Sequence, residues 1–203
     1  MRGWHLVDGK IGVLALQGDV SEHIQAFEQA IREKNLPVSV IPVRHPDDIS
    51  DLRALAIPGG ESTTIMRLID KNDMRHTIQH FTGGIFATCA GMVITAREVI
   101  GETRFLPLGI VDTVVDRNAF GRQRESFEGD ISVHGISTPF HAVFIRAPVV
   151  DTAGPGVEII ARIDQKIVGI KSGKHMVFSF HPEIGGDLRL HHLFLDGLSP
   201  SVS

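Results

Sequence analysis

The sequence predicts a three-layer α/β domain: a mostly parallel central sheet flanked by helices, with added antiparallel strands in the second half. Three observations carry that expectation. In the first half, short β-branched runs alternate with segments of helical periodicity. Small or glycine-rich turns stand where a strand would hand over to a helix. The second half strings short strands together with few helices between them. The first pattern is that of βαβ units, whose helices pack back onto a parallel sheet.

The elements follow in order. Residues 11–16 read as a buried strand interrupted only by Gly12. Gln17-Gly18-Asp19 turns the chain, and Asp19 with Glu22 three residues on has the spacing of a helix cap. Ile24, Phe27 and Ile31 then recur at helical spacing as far as Asn35. Residues 38–43 are a second strand, 45–51 a polar connection, and 54–57 a third strand that stops at Pro58-Gly59-Gly60. Ser62, Thr63 and Thr64 are natural helix starters, and Ile65, Leu68 and Ile69 supply that helix with an apolar face. Residues 84–88 are a fourth strand, and 90–100 are helical in character. Beyond them, 110–115, 126–133, 141–146, 157–163, 166–170 and 176–180 read as short strands, and 188–198 as a closing helix. Residues 1–10 lack periodicity and read as an extension, so the domain is expected over 11–203.

Composition narrows the function. A chain of 203 residues buries roughly 70% of its unfolded surface and needs no disulfide or metal to hold a core. A net charge of −4 gives no nucleic-acid footprint and no polybasic membrane patch. The apolar runs are far too short to span a bilayer, and no signal peptide opens the chain. The single cysteine, Cys89, rules out an internal disulfide and suits a reducing compartment, the cytoplasm. A lone cysteine is more often a small buried hydrophobe than a nucleophile, so its neighbours have to decide.

They decide for a nucleophile. In Ile85-Phe86-Ala87-Thr88-Cys89-Ala90-Gly91-Met92 a buried strand runs into a helix with the cysteine at the junction. Small residues flank it because a sharp strand-to-helix turn leaves no room for large ones. The usual elbow reads G-x-C-x-G; here Ala87 takes the first position. The turn places the N–H of Ala90 where it can hold an oxyanion. A base is supplied by Ser179-Phe180-His181-Pro182-Glu183. In an extended chain residues two apart point to one side, so Glu183 can hold one nitrogen of His181 while the other faces the thiol. Pro182 biases His181 toward that conformation. The third segment, Pro58-Gly59-Gly60-Glu61-Ser62-Thr63-Thr64, is a glycine-rich strand-to-helix turn without the lysine of a P-loop. Its paired glycines let a backbone N–H, that of Gly60, turn toward a reacting carbonyl.

These three segments resemble the class I glutamine amidotransferases, a flavodoxin-like fold, and more narrowly the glutaminase subunits of pyridoxal 5′-phosphate synthases. The narrower likeness adds residues 12–19, 117–123, 125–128 and 143–148, so that it spans about 11–198. It implies a catalytic triad of Cys89, His181 and Glu183 and an oxyanion hole of Gly60 and Ala90. It implies a site for L-glutamine on Gly59, Gly60, Glu61, Arg117, Ile145 and Arg146. It also implies transfer of the released ammonia to a synthase subunit, and neither metal nor organic cofactor. Arginines suit the substrate carboxylate and Glu61 its ammonium, although an arbitrary arginine is more often a surface ion pair.

Three other functions compete. One is a glutaminase serving another synthase, such as that for imidazole glycerol phosphate; the segments 117–123 and 143–148 count against it. Another is a cysteine hydrolase or redox sensor of the DJ-1 type, which His181-Pro182-Glu183 disfavours. The last is a catalytically dead binding subunit, which the intact triad disfavours. Metal is not expected: His76 and His80 lack the H-E-x-x-H pattern, and they and His191-His192 read as solvated helix faces.

Overall fold

Strands that are apolar on both faces must be covered on both faces. In the computed structural model, which describes residues 9–120 and 126–198, they are. The first half runs β1 (Gly9–Leu14), α1 (Val20–Glu33), β2 (Val38–Val43), a single 3-10 turn at Pro46–Ile49, β3 (Leu52–Ile57), α2 (Ser62–Lys71), α3 (Arg75–Gln79), β4 (Gly84–Thr88) and α4 (Ala90–Thr95). The rest is β5 (Ala96–Val99), β6 (Val111–Asp116), β7 (Ser126–Ile131), β8 (Phe140–Ile145), β9 (Val149–Ala153), β10 (Glu158–Ile163), β11 (Lys166–Ser172), β12 (His175–Phe178) and α5 (Arg189–Gly197).

Ten strands form one sheet in the order β2-β1-β3-β4-β12-β11-β9-β6-β5, with β10 attached to β11, while β7 and β8 form a separate hairpin. From β2 to β12 every pairing is parallel. Antiparallel pairing begins at β11 and continues through β9 to β6. The sequence alternates accordingly. Ile11, Val13, Ala54, Ala56, Phe86, Met176 and Phe178 face α1, α5 and β8. Leu14, Leu55, Ile57, Ile85, Ala87 and Val177 face α2, α3 and α4. On the first face the rings of Phe27, Phe178 and Phe194 surround Phe86 at 5.2–5.4 Å between centroids. Each ring so buried contributes roughly 1.5–3 kcal/mol of transfer free energy. Among the described residues no helix is long and apolar enough to cross a membrane.

Several elements differ from the expectation. β1 begins at Gly9, inside the supposed extension, because Gly9 and Lys10 pair with Val38 and Ser39; residues 1–8 lie outside the described residues. The helix expected over 90–100 ends at Thr95, whose hydroxyl donates back to the carbonyls of Gly91 and Met92. Residues 96–99 then join β6 in parallel, and sheet pairing overrides their helical propensity. Strand β9, which the sequence reading lacks, joins β11 to β6. Asp19 makes no side-chain cap bond to α1; its carboxylate turns toward His181 instead, at 3.4 Å from Nδ1. The cap of α2 is Glu61, which accepts from Thr63 and Thr64 N–H at 3.2 and 2.7 Å, rather than one of the hydroxyl residues that follow it.

Candidate active site

Because β3, β4 and β12 are adjacent and parallel, the loops at their carboxyl ends emerge side by side, where α/β sheets bind ligands. These loops carry Gly59-Gly60-Glu61, Cys89 and His181-Pro182-Glu183. The sheet therefore assembles from three distant stretches of chain what the sequence presents separately.

Cys89 sits at the β4–α4 junction with φ 49° and ψ −108°. For a residue with a side chain this is a strained conformation costing about 1–3 kcal/mol, of the kind that functional sites retain. The turn is tied down by Cys89 N–H donating to the Phe178 carbonyl at 2.9 Å and by Met92 N–H donating to the Cys89 carbonyl at 3.0 Å. Small neighbours are required on both sides. A Cβ on Gly91 would lie 2.4 Å from the Ile57 carbonyl oxygen and 3.1 Å from Ala87 Cβ. Ala87 is accommodated because Gly91 has no side chain. The thiol donates to the Ile145 carbonyl at 3.5 Å. Ala90 opens α4, so its N–H has no acceptor within the helix.

His181 and Glu183 come together by a turn rather than by strand alternation. β12 ends at Phe178, and Ile184 N–H donates to the His181 carbonyl at 3.2 Å, a four-residue turn with Pro182 in its favoured second position. His181 Nδ1 lies 2.7 Å from Glu183 Oε1, and both side chains are buried. Nε2 of His181 is buried and has no hydrogen-bond partner among the described residues. Burial opposes charge on His181, but the Cys89 sulfur and the Glu183 carboxylate outweigh it and raise its pKa to about 10. Burial likewise opposes ionisation of Glu183, and His23 and His181 beside it overcome this and hold the carboxyl far below its usual range.

The pair therefore links to stability. His181, raised from 6.5 to about 10, stabilises the fold fully below pH 6.5 and loses that contribution as the pH climbs toward 10. Glu183, depressed from 4.5, contributes above that pH and loses its contribution as the pH falls. Glu183→Gln is expected to flatten the alkaline decline of Tm. It is also expected to lower kcat by roughly ten- to a hundredfold, the value of a hydrogen bond to a charged group, with a smaller change in KM. Melting curves across pH and steady-state glutaminase kinetics check both. A large KM effect at unchanged kcat would place Glu183 in substrate binding instead.

In front of Cys89 and His181 lies a pocket of about 320 Å³, within the size range of small-molecule sites. Gly60, Glu61, Ala90, Arg117, Ile145 and Arg146 all line it together with Cys89 and His181. Gly59 is wedged behind: a Cβ there would come within 2.6 Å of His181 Cε1, 2.8 Å of Asp19 Oδ2 and 3.3 Å of Cys89 Cβ. Arg146 adopts φ 45°, a second strained residue at the pocket. Arg117 is mostly buried and pairs with Glu61 at 3.5 Å and, more tightly, with Glu102. Glu61 stays ionised: burial would raise its pKa, and hydrogen bonds from Thr64 and Thr63 outweigh that and lower it. The pocket thus offers cations and anions together, which an amino acid zwitterion requires. Residues 121–123 and 125, from the segments that carry the narrower resemblance, lie outside the described residues.

Some site residues escaped the sequence reading. Glu102, in the β5–β6 connection, has a nearly buried side chain and bonds Arg104 at 2.6 Å as well as Arg117. Arg104, chiefly, and Arg117 lower its pKa to about 2. Glu102 thereby fixes the direction of Arg117. Glu102→Gln is expected to raise KM for glutamine about two- to fivefold, the weakening of one ion pair, with kcat nearly unchanged. Saturation kinetics decide, and an unchanged KM would detach Arg117 from the substrate.

One more correction concerns a histidine. His191 is not solvated: it is fully buried, packed 4.9 Å from the rings of Phe27 and Phe86. Burial pushes its pKa down to about 3. His76 and His80 are exposed as expected and stack on each other at 4.1 Å. Among the described residues, Asp19, His181 and Glu183 bring potential metal-ligating atoms within 4.8 Å of one another. A metal there would have to take the Nδ1 that His181 already commits to Glu183.

A model of the SNO glutamine amidotransferase family matches residues 13–199. A protein of Methanospirillum hungatei named pyridoxal 5′-phosphate synthase subunit PdxT is 65% identical over 185 residues, which cover 91% of this chain and 94% of that one. One of the same name from Methanosphaerula palustris is 61% identical over 193 residues, covering 95% and 98% of the two chains. A solved crystal structure of a glutamine amidotransferase matches with a TM-score of 0.82 at 41% identity, over 93% of this chain and 98% of that chain. With its elbow cysteine, its sheet and relatives of this similarity along nearly their whole length, this chain belongs to the SNO glutamine amidotransferase family.

Proposed function

We propose that the protein is the glutaminase subunit of a pyridoxal 5′-phosphate synthase. It hydrolyses L-glutamine to glutamate and ammonia, and the ammonia passes by a protected path to a synthase subunit in the cytoplasm. That subunit builds pyridoxal phosphate from a pentose phosphate and a triose phosphate. The amidotransferase domain begins with β1, at Gly9, and runs through α5. The observation that carries the reading is Cys89, held in a strained elbow on a pocket of mixed charge, with the buried His181–Glu183 pair beside it. The names of the relatives supply the synthase.

The geometry supports a thioester route. His181 Nε2 takes the thiol proton, and the Cys89 sulfur attacks the amide carbon of glutamine. The N–H groups of Ala90 and Gly60 hold the oxyanion; one such donor contributes roughly 3–4 kcal/mol. His181 returns the proton to the leaving nitrogen, the C–N bond breaks, and ammonia departs from a glutamyl thioester. Water then gives a proton to His181 and its hydroxyl to the thioester carbon. The sulfur leaves, recovers the proton, and glutamate is released. Glu183 orients the imidazole throughout. Arg117 and Arg146 face the substrate carboxylate, and Glu61 faces its ammonium.

The synthase partner is testable directly. Ammonia release from glutamine is expected to rise when a pyridoxal phosphate synthase subunit is added, and not when the cyclase subunit of imidazole glycerol phosphate synthase is added. The reverse pattern would assign the chain to the other synthase. Silence with both would return it to the class of inactive binding subunits.

A further inference from the structure

Behind the catalytic pair lies an imidazole that the reaction as written does not use. His23 belongs to the buried stripe of α1, with Ala26, Phe27, Ala30 and Ile31, and is fully buried. Its Nε2 lies 3.3 Å from Glu183 Oε1 and 3.0 Å from Thr88 Oγ1. The same Oε1 is the atom that holds His181 Nδ1 at 2.7 Å. Thr88 directly precedes the nucleophile. One side chain on α1 therefore touches both the segment carrying Cys89 and the carboxylate that orients its base.

Packing alone does not account for a histidine here. The ring packs edge-on against Phe86 at 6.2 Å, the buried His191 lies close enough to feel its charge, and among the described residues His23 Nδ1 has no hydrogen-bond partner. A leucine would fill an apolar stripe without burying an unsatisfied polar atom. What leucine lacks is a donor. An ionised carboxylate only accepts, so the nitrogen facing Glu183 must carry hydrogen.

We propose that His23 is a positioning residue for the glutaminase reaction: its Nε2–H anchors Glu183 against Thr88 and so fixes the rotation of His181 toward Cys89. Without that anchor Glu183 can swing, its other oxygen having no hydrogen-bond partner among the described residues, and His181 swings with it. The effect falls on the bond-making steps rather than on glutamine binding, because His23 lies behind the triad and does not line the pocket.

The inference rests on the triad proposed above, and Cys89→Ala keeps the two apart: an active Cys89→Ala enzyme would sink the triad itself. The test uses the chain with its synthase subunit and compares His23→Leu, His23→Gln and His23→Asn. Glutamine carries an amide N–H near the position of Nε2, whereas asparagine stops near Nδ1. His23→Leu and His23→Asn are expected to lower kcat roughly ten- to a hundredfold, the loss of one hydrogen bond to a charged group. KM should stay within about twofold, because substrate contacts are untouched. His23→Gln should recover most of kcat. If the leucine variant fails to fold, the glutamine and asparagine pair still decides. Equal kcat for these two, or wild-type kcat in His23→Leu or His23→Asn, would overturn the proposal. So would losses that follow Tm alone across the three variants.

Discussion

Cys89→Ala is expected to abolish glutamine turnover, by a factor on the order of 10⁴ or more, while the fold and its Tm stay close to wild type. The chain has one cysteine, so no second thiol can take over. The side chain is buried and small, and alanine fits the elbow with no more backbone strain than cysteine at φ 49°. The loss would therefore be chemical rather than structural. A glutamine-like diazo ketone should label wild type at this single residue and leave the variant unlabelled. Substantial turnover in Cys89→Ala, or labelling elsewhere in the pocket, would remove the thioester from the mechanism.

Docking of the synthase subunit is expected to raise glutamine turnover by roughly 10²–10³-fold, the worth of one oxyanion donor. The Gly59–Gly60 peptide is the candidate switch. The Gly59 carbonyl accepts from Asp19 N–H at 3.3 Å, and Glu61 N–H donates to Gln17 Oε1 at 2.9 Å. The turn is thus held from the Gln17–Asp19 side, by one long bond and one of ordinary length. In a trans peptide the N–H of Gly60 points opposite to the Gly59 carbonyl, so rotating this one unit reverses both groups. Gly60 sits at φ +145°, and a Cβ there would meet Gln17 Oε1 at 2.6 Å and Gly18 Cα at 3.0 Å. Gly60→Ala should therefore lose most of the stimulation. Turnover of the isolated chain at the docked rate would show that no switch exists. Full stimulation of Gly60→Ala would place it elsewhere.

The parts of the fold that were legible in the sequence are those that local patterning encodes. β3, β4 and the turns after them are visible because both faces of these strands are buried and because Gly59, Gly60 and Gly91 mark close approaches. Cys89 is visible because an elbow needs small neighbours, and His181-Pro182-Glu183 because a base and a carboxylate stand two residues apart, although a proline turn rather than an extended strand brings them together. What was not legible depends on pairing partners far along the chain. Residues 96–99 look helical in isolation and become a strand only because β6 lies beside them. Glu102 reads as a solvated loop residue until Arg117 folds back onto it. Asp19 looks like a helix cap, and its carboxylate instead serves the active-site side of the turn. His23 and His191 carried a signal that was available but weak: each falls in the apolar stripe of its helix, where a histidine needs a reason to be.

The central claim is that glutamine nitrogen reaches the synthase through this chain, and following that nitrogen tests it most directly. The complex would be supplied with amide-¹⁵N glutamine, the pentose and triose phosphates, and excess unlabelled ammonium in the medium. The expected product is pyridoxal phosphate carrying ¹⁵N at its one nitrogen, with the label lost when Cys89→Ala replaces the wild-type chain. Pyridoxal phosphate formed from the unlabelled ammonium alone by the wild-type complex would contradict the claim.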